Sequence, residues 1–550
     1  MLTRREFHKR LTGAALAAMA GGPRIALAAT NPIARQHLNR LTFGATPELV
    51  AELDGAGLAA WLDAQLSMPA TDPELEDRLQ AAVLEIEYEE GIAENGASWP
   101  ALKEHRPFQY QRADPADLLK FLDFDQPFAW PERVRPADEV IAASLIRATH
   151  AKAQLREVMA QFWHEHFSVN AHKDETTAIF FPQYDRVMRH HALGNFRALL
   201  GDVARAPGML FYLNNEASRA SPANENYARE LLELHTLGAE HYYNDLYDNW
   251  RAVPGAVEGM ASGYIDQDVY EVARAFTGWS VGDGRWLSDG VNAPMTGRFE
   301  YVEAWHDPYQ KRILGREFAP NRGPTQDGED VLDLLAAHPG TARFIGRKII
   351  RRLGLEQPSD ALVRRVADVF HSSHADEDQI AKVIRAIVLD PEFAQTPPQK
   401  LRRPFEFLVA LYRATGAEIA AKDMQFNWYL GRGGWTQHDV HAPTGHSDLS
   451  ADWANTRCLN ATVDLALYAH DDWFTVAAFD AAATHGAKTW GELAAYWAVR
   501  FGPDPAALAD GLAYVDGTPD EALPDDSGHV AWANRTLISL AALTPAHLFR

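Results

Sequence analysis

Residues 136–163 read PADEVIAASLIRATHAKAQLREVMAQFW, and this stretch decides the fold class. Its apolar residues recur every three or four positions, the spacing that turns one side of an α-helix toward a core. Pro136 is placed to open the helix, because proline fits the first turn, where its missing N–H leaves no bond unmade. The run is longer than most globular helices, so we expect two helices or one bent helix.

The same spacing recurs along most of the chain. Thr46 and Pro47 signal a helix start, and Gly55 and Gly57 are expected to divide the apolar run that follows into two helices. Further helical periods cover 184–209, 225–237, 269–279, 329–353, 361–370, 379–389, 404–413 and 455–468. The predicted fold class is therefore mainly α: a large multi-helix globular body with long loops and at most a few short β-hairpins.

Strand signals are few. Residues 299–303, a turn at 306–308 and residues 312–315 together predict one hairpin near residues 298–315. Residues 85–135 and 507–530 are rich in proline, glycine and acidic residues, which predicts loops. No stretch after the N-terminus approaches 18 consecutive apolar residues, so we expect no membrane span in the mature chain.

Charge and cysteine content exclude several classes of protein. The chain has 52 Lys and Arg against 75 Asp and Glu, a net charge of −23. Binding to nucleic acid without sequence preference needs clustered cations, so no nucleic-acid partner is expected. Cys458 is the only cysteine, which excludes an internal disulfide and a cysteine-based zinc or iron–sulfur site.

The N-terminus has the pattern of an export signal. Arg4 and Arg5 precede a short apolar run from Leu11 to Ala20, and Ala26-Leu27-Ala28 matches a small-x-small cleavage site. Adjacent arginines before a weakly apolar segment resemble a twin-arginine signal, the alternative being an ordinary basic amphipathic start. We therefore expect residues 1–28 to be a signal peptide and the mature protein to be periplasmic or secreted.

Several motifs, in order along the chain, resemble the bacterial domain of unknown function family 1800. The strongest is NENYARELLELHTLG at 224–238; others are RLTFGATP at 40–47, FWHEHF at 162–167, DVYEVARAFTGW at 268–279 and APTG at 442–445. The resemblance implies an exported helical domain over 29–470, followed by a C-terminal helical extension over 471–550 packed on the same body. It also implies a possible partner, because such proteins are often encoded beside an exported sulfatase-like family, domain of unknown function 1501.

One segment departs from the family pattern. The 24 residues 239–262 form an insert that includes Tyr242, Tyr243, Tyr247 and Trp250. Exposed aromatic side chains of this kind suit a lid or a sugar-stacking wall. The alternative is a surface loop that packs its own aromatic residues.

The first candidate site motif is a pair of carboxylates. At about 100° per residue, Asn226, Glu230 and Glu233 fall on one helix face, with His235 roughly opposite. Buried carboxylates one turn apart need a cation or a shared proton, which suits a metal site or an acid–base pair. We expect the 225–237 helix to be buried, with both carboxylates facing His164 and His166. The alternatives are a solvated face, or pairing with an arginine such as Arg229 or Arg274.

Two further motifs offer imidazole groups. His164 and His166 lie roughly 200° apart in a helix, and on one side if the helix ends there. The alternative is that His166 packs with Trp163 and Phe167 while His164 is exposed. His306 and Asp307 are predicted in the hairpin turn, where Asp307 offers either a catalytic carboxylate or an Asp-Pro backbone cap.

These motifs support two hypotheses about function. The first is a metal-dependent, hydrolase-like exported enzyme with a divalent metal held by His164, His166, Glu230 and Glu233, and with Glu230, Glu233, His306 and Asp307 as catalytic groups. The second is a non-catalytic helical scaffold that binds the sulfatase-like protein. The two differ in whether the side chains of the three motifs converge.

The export assignment predicts the behaviour of a conservative variant. Replacing Arg4 and Arg5 together with lysine should leave the precursor in the cytoplasm, because twin-arginine export reads the guanidinium pair rather than the charge alone. Fractionation and immunoblotting of the native host would measure this. Normal export of the double variant would contradict the assignment.

Overall fold

The computed structural model describes residues 31–93, 95–288, 290–471, 474 and 476–550. The chain is 55% helical with 10% strand, which confirms the predicted mainly α class. The helices of ten or more residues are Pro32–Leu41, Pro47–Ala56, Leu58–Ser67, Trp130–His150, Gln154–His166, Glu175–His190, Phe196–Arg205, Asp266–Ala275, Gln326–Ala336, Pro339–Arg352, Asp360–Ser372, Gln379–Val388, Pro404–Thr415, Thr456–Tyr468, Trp490–Phe501 and Ser527–Ala542. The predicted signal peptide lies outside the described residues.

Shorter helical segments connect these helices. The α-helical ones are Pro73–Ala81, Pro115–Leu118, Pro207–Tyr212, Glu225–Glu230, Pro391–Gln395, Gln425–Arg432, Ser450–Trp453, Pro505–Asp510 and Pro545–Leu548. Segments of 3₁₀-helix cover Leu119–Leu122, Ala239–His241, Asn244–Ala252, Glu303–Trp305 and Gly511–Val515, and Leu231–Thr236 is a π-helix. The Glu225–Glu230 helix therefore continues with a wider turn through the motif of paired carboxylates.

The long apolar run of 136–163 forms two helices, as one of the two alternatives predicted. The first helix begins at Trp130 rather than at Pro136, which lies inside it. Pro131 occupies its first turn, so that proline is the one at the helix start. The chain breaks at Ala151–Ala153 and resumes as Gln154–His166.

Six two-stranded antiparallel pairs surround the helices in the described chain. They join Val83–Tyr88 to Leu102–Pro107, Gly91–Ile92 to Ser98–Trp99, Trp279–Asp283 to Met295–Tyr301, Trp286–Ser288 to Val291–Asn292, Lys311–Ile313 to Arg316–Phe318, and Glu418–Ile419 to Ala477–Ala478. The prediction that 85–135 forms only loops is wrong, because Leu84 and Ile86 alternate into the core from the first of these strands.

The predicted pairing of residues 299–303 with 312–315 is also wrong. Met295–Tyr301 pairs back with Trp279–Asp283, while Lys311–Ile313 turns at once into Arg316–Phe318. The tight turn is possible because Leu314 and Gly315 both have positive φ, 49° and 80°. A Cβ on Gly315 would lie 1.9 Å from the Ala256 carbonyl oxygen, so glycine is also required by space.

One continuous hydrophobic cluster runs through the described chain. It includes Leu38 near the N-terminal end and Trp497 and Leu537 in the predicted C-terminal extension. Cys458 is buried in the same cluster. Among the described residues, no helix is both long and apolar enough to span a bilayer.

A buried carboxylate joins three parts of the chain near the end of this core. Glu406 Oε1 accepts hydrogen bonds from Arg352 Nη1 at 2.7 Å, Arg403 Nη2 at 2.8 Å and Arg550 Nη2 at 2.9 Å. All four side chains are at most 1% exposed. The arginine charges hold the pKa of Glu406 below its usual range, although burial alone would raise it.

Replacing Glu406 with glutamine should therefore be strongly destabilising. The variant keeps the shape but leaves three buried guanidinium groups without their shared carboxylate, which typically costs about 3–5 kcal/mol of unfolding free energy. Glu418→Gln, which removes an exposed ion pair with Arg78, should cost no more than about 1 kcal/mol. Chemical denaturation measures both, and equal effects would contradict the central role of Glu406.

Candidate functional site

A cavity of about 190 Å³ lies where three segments meet: the end of the Gln154–His166 helix, the Pro339–Arg352 helix and the loop 442–449. Its lining combines acids, bases and hydroxyl groups: Glu165, His166, Lys348, Arg351, Thr444, His446, Ser447 and Asp448, with Phe162 and Leu449 as apolar walls. Two of its residues, His166 and Glu165, belong to one of the motifs that the sequence singled out.

The central contact of this cavity joins Lys348 and His166. Lys348 Nζ donates to His166 Nδ1 at 2.8 Å, and His166 Nε2 donates to the His235 carbonyl oxygen at 3.2 Å. Burial, followed by the charge of Lys348, lowers the pKa of His166 well below its usual value, so the ring is neutral. Both ring nitrogens are engaged, and the ring also packs against Phe162, Trp163 and Phe167.

Two cations of the cavity have no acidic partner. Neither Lys348 nor Arg351 has a carboxylate oxygen within 4 Å among the described residues, and Arg351 Nε donates to the Glu356 carbonyl oxygen. Burial lowers the pKa of Lys348 to about 8, because the ammonium loses hydration that the charges of Asp448 and Glu165 only partly offset. The cavity therefore holds two cations without a close ion pair beside the carboxylates of Glu165 and Asp448, and one of these cations, Lys348, has a pKa of about 8.

The loop 442–449 is fixed to the His166 helix by close contacts. His446 N donates to Glu165 Oε2 at 2.6 Å, and the His446 ring stacks on Trp435 with ring centres 4.0 Å apart. Gly445 has φ of 67°, and a Cβ there would lie 2.1 Å from the Glu165 carbonyl oxygen. Only glycine lets the loop approach this closely.

Asp448 ties the loop to the buried arginine cluster. Its Oδ1 accepts from Lys400 Nζ at 2.7 Å and lies 3.2 Å from Arg403 Nη1. Burial would raise the pKa of Asp448, but Arg403 and Lys400 hold it far below its usual value. Asp448 is thus a fixed negative charge and not a proton acceptor at neutral pH.

His164 points away from this cavity. Its Nε2 contacts Asp185 Oδ1 at 3.0 Å, and its ring lies 4.2 Å from that of His438. The alternative in which His164 is exposed is wrong on this point, since the residue is 6% exposed. The two histidines lie within the last turns of one helix, and their rings diverge as helical geometry requires.

Glu230 and Glu233 do not meet the histidines as predicted. The π-helix of Leu231–Thr236 turns the His235 carbonyl, rather than a carboxylate, toward His166. Both glutamates are partly exposed and form no hydrogen bond or ion pair with a described residue. Burial, followed by the charge of Glu233, raises the pKa of Glu230. Pairing of the glutamates with Arg229 or Arg274 is also not observed, because these arginines bind other carboxylates.

His306 and Asp307 belong to a separate ion network. Asp307 receives two hydrogen bonds from Arg274, at 2.8 and 3.0 Å, and its Oδ1 accepts from Tyr309 N at 2.9 Å. The latter contact is the Asp-Pro cap that the sequence offered as an alternative. His306 Nδ1 donates to the Thr277 carbonyl oxygen at 3.0 Å. These contacts hold the segment before the Lys311–Ile313 strand.

The predicted ligand set does not fit a metal ion. His164, His166, Glu230 and Glu233 point into different surroundings, and both nitrogens of His166 are engaged. Within the described chain, no group of three or more His, Cys, Asp or Glu side chains is placed to hold an ion. The His166 cavity offers instead the acidic, basic and hydroxyl groups that line it.

The insert 239–262 packs part of its aromatic surface. Tyr243 and Trp250 pack against the core, and the Arg312 guanidinium lies 3.7 Å from the Trp250 ring centre. Three side chains of the insert are exposed: Tyr247 at 51%, Val257 at 68% and Met260 at 41%. The insert thus packs Tyr243 and Trp250 against the core, while more than half of its residues, Tyr247 included, are exposed.

Comparison with known proteins agrees with the motifs. The family described as protein of unknown function (DUF1800) matches residues 36–527, most of the chain. The chain belongs to this family. The match runs past residue 470, where the sequence placed the end of the family domain. No curated protein and no solved structure matches this DUF1800 chain.

Sequence reasoning missed the most informative residue of this DUF1800 protein. Lys348 lies in a basic stretch, GRKIIRR at 346–352, that is typical of a solvated helix end. The helical spacing nevertheless indicates that Lys348 is buried, because Ile345, Lys348 and Arg352 fall on the same helix face as the buried Ile349. A lysine on the apolar face of a helix is a candidate functional group.

Gly445 provides a test of how the cavity is built. Gly445→Ala should destabilise the protein more than Gly486→Ala, because both positions have positive φ but a Cβ at Gly486 would meet nothing within 4 Å. The positive φ costs roughly 1–2 kcal/mol at either site, and the contact with Glu165 adds to it only at Gly445. Thermal denaturation measures the difference, and equal melting temperatures would contradict the close approach.

Proposed function

We propose that this protein is an exported, hydrolase-like enzyme whose proton-transfer group is Lys348 and whose reaction takes place in the His166 cavity. In this proposal the neutral amine of Lys348 takes a proton from the attacking water. The ammonium formed in this way then donates a proton to the leaving group. His166 is a positioning residue, since its Nδ1 accepts one N–H of Lys348 and holds the ammonium toward the cavity.

One observation carries this proposal. Lys348 contacts an imidazole at 2.8 Å, with no carboxylate within 4 Å among the described residues, beside a cavity of about 190 Å³. A lysine that is only structural is usually neutralised by an acid, because an unpaired buried charge is unfavourable. The lowered pKa, about 8, suits acid–base catalysis, which works best when the group titrates near ambient pH.

Arg351 supplies the second part of the proposed site. It lines the same cavity without an acidic partner within 4 Å among the described residues, so its guanidinium is available to a developing negative charge. A substrate with a carbonyl, phosphoryl or sulfuryl oxygen at the reacting centre fits this charge. The periplasmic or secreted location in the proposal rests on Arg4 and Arg5.

A role as a binding partner of a sulfatase-like exported protein is the second candidate. The insert offers exposed apolar side chains for this role, those of Tyr247, Val257 and Met260. This role needs no unpaired lysine in a cavity. Variants of Lys348 therefore separate the two candidates.

The Lys348→Met variant should be more stable than the natural protein at pH 7. The folded pKa of Lys348, about 8, lies below the ordinary 10.5, so the unfolded chain holds the proton more tightly. The penalty is fully present below pH 8 and disappears as the pH rises toward 10.5. Removing the charge should raise the unfolding free energy at pH 7 by about 3 kcal/mol. The lost hydrogen bond to His166 should offset about 1 kcal/mol of this gain.

Denaturant titrations between pH 6 and 10.5 would measure this difference. Lys382→Met is the matched control, because that lysine is 44% exposed and pairs with Asp376 at the surface, and its loss should change the unfolding free energy little. A Lys348→Met variant that is less stable than the natural protein at pH 7 would contradict the unpaired state of Lys348.

The same variant tests the reaction. The natural protein is assayed with a panel of p-nitrophenyl acetate, phosphate, sulfate and glycosides. For any substrate of the panel that it hydrolyses, Lys348→Met should lower kcat about 100-fold or more. Lys348→Arg should lose activity as well, since arginine does not release its proton. Undiminished activity in both variants would remove Lys348 from the mechanism and leave the partner role.

A further inference from the structure

A second and larger cavity, of about 570 Å³, is enriched in arginine. It lies between the Trp130–His150, Gln154–His166 and Glu175–His190 helices, and six arginines and four carboxylates line it. The whole chain has a net charge of −23, so an excess of cations in one cavity runs against its composition. Only some of these arginines are neutralised by carboxylates of the protein itself.

Three of the six arginines have acidic partners. Arg189 contacts Asp185 at 2.8 Å and also Glu157, Arg112 contacts Glu76, and Arg298 contacts Asp114 at 2.8 Å. Burial alone would raise the pKa of Asp185, but Arg189 and His164 hold it well below its usual value. These ion pairs occupy three of the four carboxylates that line the cavity, Glu76, Glu157 and Asp185, and the fourth, Asp202, contacts His191 at 2.6 Å.

The other three arginines have no carboxylate within 4 Å among the described residues. Arg147 donates to Gln111 Oε1 at 2.7 Å and Arg186 donates to the Gln111 carbonyl oxygen, so one residue holds two guanidinium groups. The Arg156 side chain donates to no described residue, and the buried Nε atoms of Arg147 and Arg156 have no acceptor. Burial lowers the pKa of all three arginines.

Such an arrangement is unfavourable unless a ligand completes it. Guanidinium groups that lose part of their hydration need compensating acceptors, and among the described residues only the oxygens of Gln111 accept hydrogen bonds from these three arginines. Planar N–H forks match the oxygens of phosphate and sulfate in a two-bond geometry. A cavity of this volume is large enough for a small molecule.

We propose that the cavity formed around Arg147, Arg156 and Arg186 is a binding site for a tetrahedral oxyanion, a phosphate or sulfate group on a small molecule. The site is separate from the His166 cavity, and it does not depend on Lys348. Gln111 positions two of the guanidinium groups, and the paired Arg189 and Asp185 form one wall. Binding adds the acceptors that Arg156 lacks.

Titration with simple anions tests the proposal. Inorganic phosphate and sodium sulfate are added to the full-length protein at constant ionic strength, with sodium chloride as reference, and binding is followed by calorimetry and thermal denaturation. We expect either oxyanion to bind and to raise the melting temperature above that in chloride. The oxyanion that binds more tightly identifies the chemical group, phosphate or sulfate, that the site recognises.

The Arg156→Gln variant gives a two-sided signature. It should melt at a higher temperature than the natural protein in chloride, since an uncompensated cation is removed, and it should bind the oxyanion about tenfold or more weakly. Arg365→Gln is the matched control, because Arg365 is 54% exposed, pairs with Asp390 and lies outside the cavity. Its binding of the oxyanion should be unchanged.

Three results would overturn the proposal. The first is that neither phosphate nor sulfate binds the natural protein, a measurement that needs no variant. The second is that Arg156→Gln binds as tightly as the natural protein. The third is that Arg365→Gln loses as much affinity as Arg156→Gln, which would show a response to net charge alone.

Discussion

The carboxylate of Glu406 is the contact on which the arrangement of the site depends. It joins three cations from different parts of the chain: Arg352 at the end of one helix, Arg403 before another, and Arg550. Arg352 shares its helix with Lys348, and Arg403 also contacts Asp448 in the loop beside His446. A carboxylate buried among three guanidinium groups thus fixes the distance between the two walls of the His166 cavity.

The two cavities differ in charge from the chain as a whole. The chain as a whole is acidic, yet both cavities beside the Gln154–His166 helix present cations without acidic partners, Lys348 and Arg351 on one side and Arg156 on the other. The net negative charge of the chain does not attract anionic ligands, and salt screens charges beyond roughly 8–10 Å. Recognition then rests on direct contact within the cavities.

The sequence predicted the elements that local chemistry determines. Thr46, Pro47 and Gly57 predict the Pro47–Ala56 and Leu58–Ser67 helices, and the structure confirms both, since caps and breakers act within a few residues. The strand pairings were wrong because the partner of Met295–Tyr301 precedes it in the chain and no local signal selects it. The π-helix at 231–236 was also not predicted, and the His235 carbonyl within it, rather than Glu230 or Glu233, contacts His166. The unpaired state of Lys348 and Arg156 is a property of the neighbours that folding brings near, so it appears only in the tertiary structure.

The burial of Cys458 bears on where the protein can work. A single thiol inside the core has no partner in the chain and is not accessible to another molecule, and burial also raises its pKa, which suppresses the reactive thiolate. The covalent structure is therefore the same in reducing and in oxidising surroundings. A fold completed in one redox environment needs no thiol chemistry to persist in another.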